Sequence, residues 1–240
     1  MDPVLSAVLG SMHVDMARLE RVAMNLANVQ TPAYKRELVL APPFAARVDA
    51  ASDAASVHTD QRAGTLKPTG RSLDVALTGP GWFEVTTPQG TAYTRLGNFT
   101  LDAQGRLVTQ QGHAVMGLAG DIVLQQGAPV IDAEGRIFES VAAGAKRDAA
   151  AIAQLKVVEF DAAAPIERMG DGLVLVRAQA RPAAGGAQVQ QGFLENSNVS
   201  HMQEMVRLLE TMRHMETLQK VALGYDEMLG TSIRKLGENP

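Results

Sequence analysis

Apolar side chains recur at helical spacing over the first thirty residues. Leu5, Val8, Met12, Leu19, Val22, Leu26 and Val29 follow one another at three- and four-residue steps interrupted once by Asp15, and Gly10 is the only glycine between residues 3 and 31. This predicts an amphipathic helix with a narrow, coiled-coil-like seam. Asp2 can cap the first turn, Pro3 stands where its missing N–H is harmless, and Pro32 disfavours helical geometry at Thr31. The other end of the chain mirrors this design. No glycine or proline occurs between Val199 and Leu223, Ser200 and Gln203 have capping-box spacing, and Met205, Leu208, Met212, Met215, Leu218 and Ala222 mark one face. Within that face Leu208, Met215, Ala222 and Leu229 keep a seven-residue step. Glu204, Arg207, Glu210, Arg213, Glu216 and Lys220 alternate in sign at separations that make helix neighbours attract.

Between these helices the period changes to two, punctuated by turn residues. Leu73–Leu77, Trp82–Thr86, Thr91–Thr94 and Asn98–Leu101 read as strands, separated by Gly79-Pro80-Gly81, Pro88-Gln89-Gly90 and Asp102-Ala103-Gln104-Gly105. Further strands are predicted at 107–109, 114–116, 122–124, 130–131, 137–138, 155–160, 173–176 and 189–193. Leu101-Asp-Ala-Gln-Gly-Arg-Leu107 is echoed by Ile131-Asp-Ala-Glu-Gly-Arg-Ile137, which reads as two hairpins of one design because only two copies exist. Residues 141–153 and 161–165 are Ala-rich connectors without a period. Of the 22 glycines, 18 lie between Gly64 and Gly192, so the ends and the middle are different material. The expected fold is mainly β with flanking α: an all-β central domain of short antiparallel strands, and terminal amphipathic helices that pair in a coiled-coil-like arrangement. The boundaries are a helix over 1–31, a connecting segment over 32–72, the β domain over 73–187, a return strand and connector over 188–198, and a helix over 199–240.

Composition narrows the function. A chain of 240 residues with 46% apolar side chains supports one or two cores, and the absence of cysteine removes thiol nucleophiles, disulfides and Cys-ligated metals. The net charge of −4 argues against a phosphate-neutralising surface, so nucleic acid and membrane insertion are not expected. No apolar run approaches the ~18 residues of a spanning helix, and Met1-Asp2-Pro3 carries an acid where a cleaved signal peptide would be basic.

The residues yield little reactive chemistry. Asp102 and Asp132 could be paired carboxylates of a β-rich hydrolase, but Asp commonly opens turns by bonding its own backbone, and neither turn supplies the ligands of a calcium loop. The histidines at 13, 58, 113, 201 and 214 include no pair at metal-binding spacing; those at 13, 201 and 214 read as helix surface or seam. A surface binding module would instead expose an aromatic platform around Trp82, Phe83 and Tyr93, although Phe83 and Val85 alternate with Glu84 as a half-buried strand would. No catalytic residue, metal ligand or cofactor site is expected. The paired seams leave three uses for the helices: pairing with each other, docking on the β centre, or burial in neighbouring copies.

Three blocks carry a family resemblance. Leu26-Ala-Asn-Val-Gln-Thr-Pro-Ala-Tyr-Lys-Arg36 resembles the L-A-N-x-x-T-x-G-[FY]-K signature that ends the first helix of bacterial flagellar rod and hook proteins. Ser72–Val85, Tyr93–Asp102 and Gly105–Gly112 are similar to the family's β-domain blocks, and Gln191–Val199 followed by Glu204-Met-Val206 to its carboxy-terminal block. The blocks run in the family's order across nearly the whole chain. Met24 stands where the family repeats Asn, Met215 where it has an aromatic, and Ala33 where it has Gly, so left-handed geometry at Ala33 would be strained or absent. The short length, the Met-Asp start and the central block are most similar to the family's proximal-rod members, with distal-rod members next. The resemblance implies a subunit without active site that polymerises with other flagellar rod subunits through its terminal helices. It also implies export through the flagellar type III apparatus without a cleaved signal peptide, and a place in the periplasm-spanning basal-body rod. The residues expected to form the assembly interface are Leu5, Val8, Met12, Leu19, Val22, Leu26, Asn28, Met205, Leu208, Met212, Met215, Ala222 and Leu229.

Overall fold

The computed structural model describes residues 3–40, 56–125, 129–139, 150–161, 164, 166–183 and 186–237. The cap expected at Asp2 and the connector at 141–149 lie outside them. Among the described residues two helices, α1 (Pro3–Ala27) and α2 (His201–Gly237), flank nineteen strands. In chain order the strands are β1 (Glu37–Leu40), β2 (Ser56–Thr59), β3 (Leu66–Pro68), β4 (Val75–Thr78), β5 (Trp82–Thr87), β6 (Gly90–Thr94), β7 (Thr100–Leu101), β8 (Leu107–Val108), β9 (Ala114–Gly117) and β10 (Gly120–Asp121). They continue as β11 (Val130–Ile131), β12 (Arg136–Phe138), β13 (Ala153–Gln154), β14 (Val157–Glu159), β15 (Ile166–Gly170), β16 (Leu173–Val176), β17 (Arg181–Pro182), β18 (Gln188–Gln191) and β19 (Phe193–Glu195). The chain divides into a helical unit (1–29, 36–60 and 199–240) and a β unit (30–35 and 61–198).

In the β unit, β15-β16-β6-β5-β9-β8-β7 form the main path of a ten-stranded antiparallel sheet, with β14 also pairing β5. Strand alternation sends successive side chains to opposite faces. Phe83 therefore enters a core with Leu77, Val85, Phe99, Leu107, Ile122 and Ile137, where its ring meets Phe99 edge-on at 5.3 Å. Its neighbour Trp82 enters a second cluster with Tyr93, Val158, Val174 and Val176. The aromatic platform of the binding-module reading is thus absent: Trp82, Phe83 and Tyr93 are only 7%, 0% and 8% exposed. The strand read at 122–124 is shifted, with β10 at Gly120–Asp121 and only an isolated bridge at Val123, and the run read at 189–193 is broken by Gly192 into β18 and β19.

The two echoed hairpins are built alike. Asp102 Oδ1 accepts from the N–H of Gln104 (2.9 Å) and Arg106 (2.8 Å), and Asp132 Oδ1 accepts from Glu134 (3.1 Å) and Arg136 (2.8 Å). Each Oδ2 takes the guanidinium four residues on, at 2.8 and 2.7 Å, and Gly105 and Gly135 close the turns at φ 76° and 77°. Burial alone would raise both carboxyls, but these N–H and guanidinium donors outweigh it and hold them below the ordinary carboxylate range. Both acids serve their own turns.

In the helical unit α1 packs along α2 and against β1, which pairs antiparallel with β2. The first helix ends at Ala27, four residues short of the expected boundary, because the Asn28 N–H reaches back to the carbonyls of both Met24 and Asn25 and the backbone tightens into a turn. The helices are antiparallel in a definite register: Asn25 faces Glu204, and ten residues earlier on α1 Asp15 faces His214. Extending it puts Pro3 opposite Asp226. At 1.5 Å per residue α1 is about 37 Å long and α2 about 55 Å, so the last eleven or so residues of α2 reach past the first described residue of α1.

Of the two alternatives expected at Ala33, strained or absent left-handed geometry, the structure shows the first. The residue has φ 56°, the left-handed geometry that the family's glycine tolerates and alanine resists, while its N–H is bonded to the Glu195 carbonyl at 2.8 Å. The strain is present and is held by that bond. Ala33→Gly is therefore expected to raise the stability of the β unit by up to ~1 kcal/mol, relief of strain exceeding the added unfolded-state entropy; a urea midpoint unchanged or lowered would contradict this.

Candidate assembly surface and its buried charge nodes

The family-like blocks meet at two buried clusters of charge. In the β unit, Glu195 at the end of β19 is sealed from solvent. Its Oε1 accepts from Lys35 Nζ at 2.5 Å and from the Gly64 N–H at 2.9 Å, and its Oε2 accepts from Arg95 Nε at 2.9 Å. Arg95 spreads its remaining donors over the carbonyls of Gly79 (2.9 Å), Gly81 (2.7 Å) and Leu77 (3.3 Å), and Lys35 also donates to the Arg62 carbonyl at 2.8 Å. Gly64 has no substitute here, since a Cβ would stand 1.9 Å from the Asn196 carbonyl oxygen. Arg168 on β15 stacks over Tyr34 at 4.4 Å and donates to the Lys35 carbonyl, fixing the same segment from the sheet edge. Burial alone would raise the Glu195 carboxyl; Arg95 and Lys35 outweigh it, so it titrates below the ordinary range.

In the helical unit a matching node gathers on Glu204, also sealed from solvent at the start of α2. Arg36 Nε donates to its Oε1 at 2.6 Å and Asn25 Nδ2 to its Oε2 at 3.1 Å. Asn25 further exchanges two bonds with the Glu37 backbone, donating to its carbonyl at 2.9 Å and accepting its N–H at 3.0 Å, as a paired strand would. Arg21 holds the Glu37 carboxylate at 3.1 Å. One side chain thus ties the end of α1 to both β1 and α2.

The helix seam is partly as expected and partly displaced. Val8 and Val22 are buried, and Met12, Leu19, Leu26, Leu208, Met215 and Ala222 are half-buried, but Leu5, Met205, Met212 and Leu229 are exposed. The inward stripe of α2 is Glu204, Leu208, Thr211, Met215, Leu218, Ala222 and Tyr225. One of its two seven-residue rows, Glu204, Thr211, Leu218 and Tyr225, begins with two polar residues, so hydrophobicity alone slides the start of that row one position onto Met205 and Met212. Asp15, which interrupts the apolar pattern, is on the pairing face: it is 1% exposed and its Oδ2 lies 2.5 Å from His214 Nδ1, with Arg18 3.5 Å from Oδ1. Asn28 is half-buried, its Nδ2 donating to the Met24 carbonyl at 2.9 Å. A second apolar stripe faces outward on α2: Met202, Met205, Leu209 and Met212 are all exposed. Leu9, Met16 and Met24 do the same on α1. The nodes are visible in the sequence only as polar and charged residues inside the family-like blocks; their convergence depends on chain separations of up to 179 residues.

Among the described residues no cluster of three or more His, Asp or Glu could hold a metal, and no helix is long and apolar enough to cross a membrane.

Glu195→Gln should cost about 3–5 kcal/mol by leaving Lys35 and Arg95 buried without their anion. The ionised carboxylate contributes stability that is present above the ordinary carboxylate range and lost as pH falls through its depressed value. Chemical denaturation of the wild type should therefore show an acid limb below about pH 4 that is flattened in Glu195→Gln; equal limbs would remove Glu195 from the account.

The chain matches the flagellar hook protein FlgE/F/G D1 domain over residues 76–139 and the flagellar basal body rod FlgEFG protein C-terminal family over 190–235. It is 31% identical to the flagellar basal-body rod protein FlgF of Rhizobium meliloti, with 92% of each chain covered. It is 30% identical to FlgF of Salmonella typhimurium (98% of this chain, 99% of that one) and 28% identical to FlgG of Bacillus subtilis (88% and 90%). The sequence blocks whose charges form the buried nodes are thus part of a likeness that runs the length of the molecule, and the chain belongs to the flagellar basal-body rod protein family as a structural subunit of the rod.

Proposed function

We propose that this chain is a proximal-rod subunit that enters the axial shaft through its terminal helices. The observation that carries the reading is the two-sided character of α2: its inner stripe already packs on α1, yet Met202, Met205, Leu209 and Met212 form a second apolar stripe on the outside. Contiguous apolar surface of this kind marks an interface, and methionine suits a face that must fit several neighbours. Other rod subunits are the partners in this reading, joined through outward residues such as Leu5, Met205 and Met212 and through the seam itself. Proximal placement is supported by FlgF relatives at 28–31% identity matched over 92–99% of their length, against FlgG relatives at 28–30% matched over 66–98%. Delivery by the flagellar type III apparatus belongs to the same reading, as does a purely structural role without cofactor.

Met212→Asp would put a carboxylate on the outer stripe without touching the α1–α2 seam or the β unit. The variant should stay folded and exportable, while basal bodies fail to extend and cells lose motility, because an unpaired charge in a packed interface costs several kcal/mol. Arg177→Glu breaks only the exposed Arg177–Glu167 pair, worth ~0.2–1 kcal/mol, and should swim close to wild type. Wild-type motility for Met212→Asp, with equal export confirmed, would overturn the assembly role of this stripe.

A further inference from the structure

One acceptor in the β unit has no donor. Glu159, on β14, makes no hydrogen bond or ion pair among the described residues, although its Oε1 is sealed from solvent. A buried carboxylate oxygen in this state keeps its desolvation penalty, which falls when a donor is supplied. The pairing of β14 with β5 sets Val157 opposite Phe83 and Val158 opposite Trp82, and so carries Glu159 and Phe160 alongside the turn Gly79-Pro80-Gly81. There Glu159 lines a cavity of about 310 Å³ together with Pro80, Trp82 and Phe160, a volume in the range of ligand sites.

The cations of this cavity are already engaged. Lys35 donates to Glu195 and to the Arg62 carbonyl, and Arg95 to Glu195 and to the carbonyls of Leu77, Gly79 and Gly81. Arg181 stands opposite Glu159 on β17, but it is exposed and makes no bond to the carboxylate. The unmet need is therefore for a donor. Because Lys35 and Arg95 outnumber the one anion they share, a further cation is best accommodated when its charge is delocalised and weakly hydrated. Guanidinium has both properties, presents its N–H groups to a carboxylate as a planar fork, and stacks on aromatic rings. The same unit already seats one in that way, Arg168 over Tyr34 at 4.4 Å. We infer that the cavity between β14 and the Gly79–Gly81 turn receives the guanidinium of an arginine side chain carried by another polypeptide, which donates to Glu159 beside Trp82. The site is independent of the helix surfaces, and its failure would leave the rod reading untouched.

Trp82 is the single tryptophan of the chain, so its fluorescence reads this cavity directly in the purified full-length protein. Titration at constant ionic strength with N-acetyl-arginine amide, which mimics a peptide-borne side chain, should give a saturable change. The citrulline analogue, equal in shape but uncharged, should bind about ten-fold more weakly, as the loss of a charge-assisted bond predicts. Glu159→Gln should lose the response while its urea midpoint stays at or above that of wild type, since no bond is broken and a neutral amide costs less to bury. Arg181→Ala should leave the affinity within about two-fold, because an exposed pair contributes little. Equal binding of the citrulline analogue, an unaltered response in Glu159→Gln, or no saturable response in wild type would overturn the proposal. A lowered urea midpoint in Glu159→Gln would overturn it by giving the carboxylate a structural partner, and a response seen only in Arg181→Ala would do so by naming Arg181 as that partner. Binding of free arginine without binding of the blocked form would overturn the peptide-borne source.

Discussion

Three charged side chains from distant parts of the chain hold the β unit together at Glu195. Lys35 arrives from the loop after α1, Arg95 from the end of β6, and the carboxylate from β19, just before the chain turns into α2. Breaking such a buried group by removing one member is far costlier than an exposed salt bridge, because the remaining charges keep their desolvation penalty. Here the cations are also anchored elsewhere: Arg95 spans the Gly79–Gly81 turn as well as Glu195, and Lys35 also holds the Arg62 carbonyl. The segment that enters the β unit from the first helix and the strand that leaves it for the second are thereby fixed to one another. The strained backbone at Ala33 is part of the same construction, since its N–H bonds the Glu195 carbonyl.

The helical unit repeats the logic with a different partner. Glu204, one turn into α2, is held by Arg36 and Asn25, and Asn25 in turn pairs with the backbone of β1. Asp15 and His214 add a polar contact ten residues along the seam. Apolar rows that repeat every seven residues would accept a slip of two turns, whereas buried polar groups must meet their own partners, so these contacts specify the register that leaves α2 projecting. Stability and geometry are divided between two kinds of residue.

Much of this was legible in the sequence, and the misreadings have physical causes. Periodicity located both helices and most strands, and the D-A-x-G-R turns were foreseen as matched hairpins because Asp, Gly and Arg each perform a local task there. Local patterns could not show that Lys35, Arg95 and Glu195 converge, since that depends on topology. Only the Met205 and Met212 positions of the α2 seam are displaced by one residue, because Glu204 and Thr211 point inward while Met205 and Met212 point out; amphipathicity assumes polar means solvent, and here a buried ion pair reverses the rule. Asp15 was an apparent interruption for the same reason. The sequence pattern misses strands β1, β2, β3, β13, β15 and β17, which are short or mostly exposed and lack a clean alternation.

The central claim is that the outward face of α2 is where the subunit meets its neighbours in the rod. Replacing Leu209, exposed on that face, by a photoreactive amino acid, irradiating intact basal bodies and identifying the adducts tests this most directly. The account predicts covalent products with rod subunits from Leu209, and none from a control at Ile152, exposed in the β unit. Adducts at Leu209 confined to the same chain, in basal bodies that contain the subunit, would contradict it.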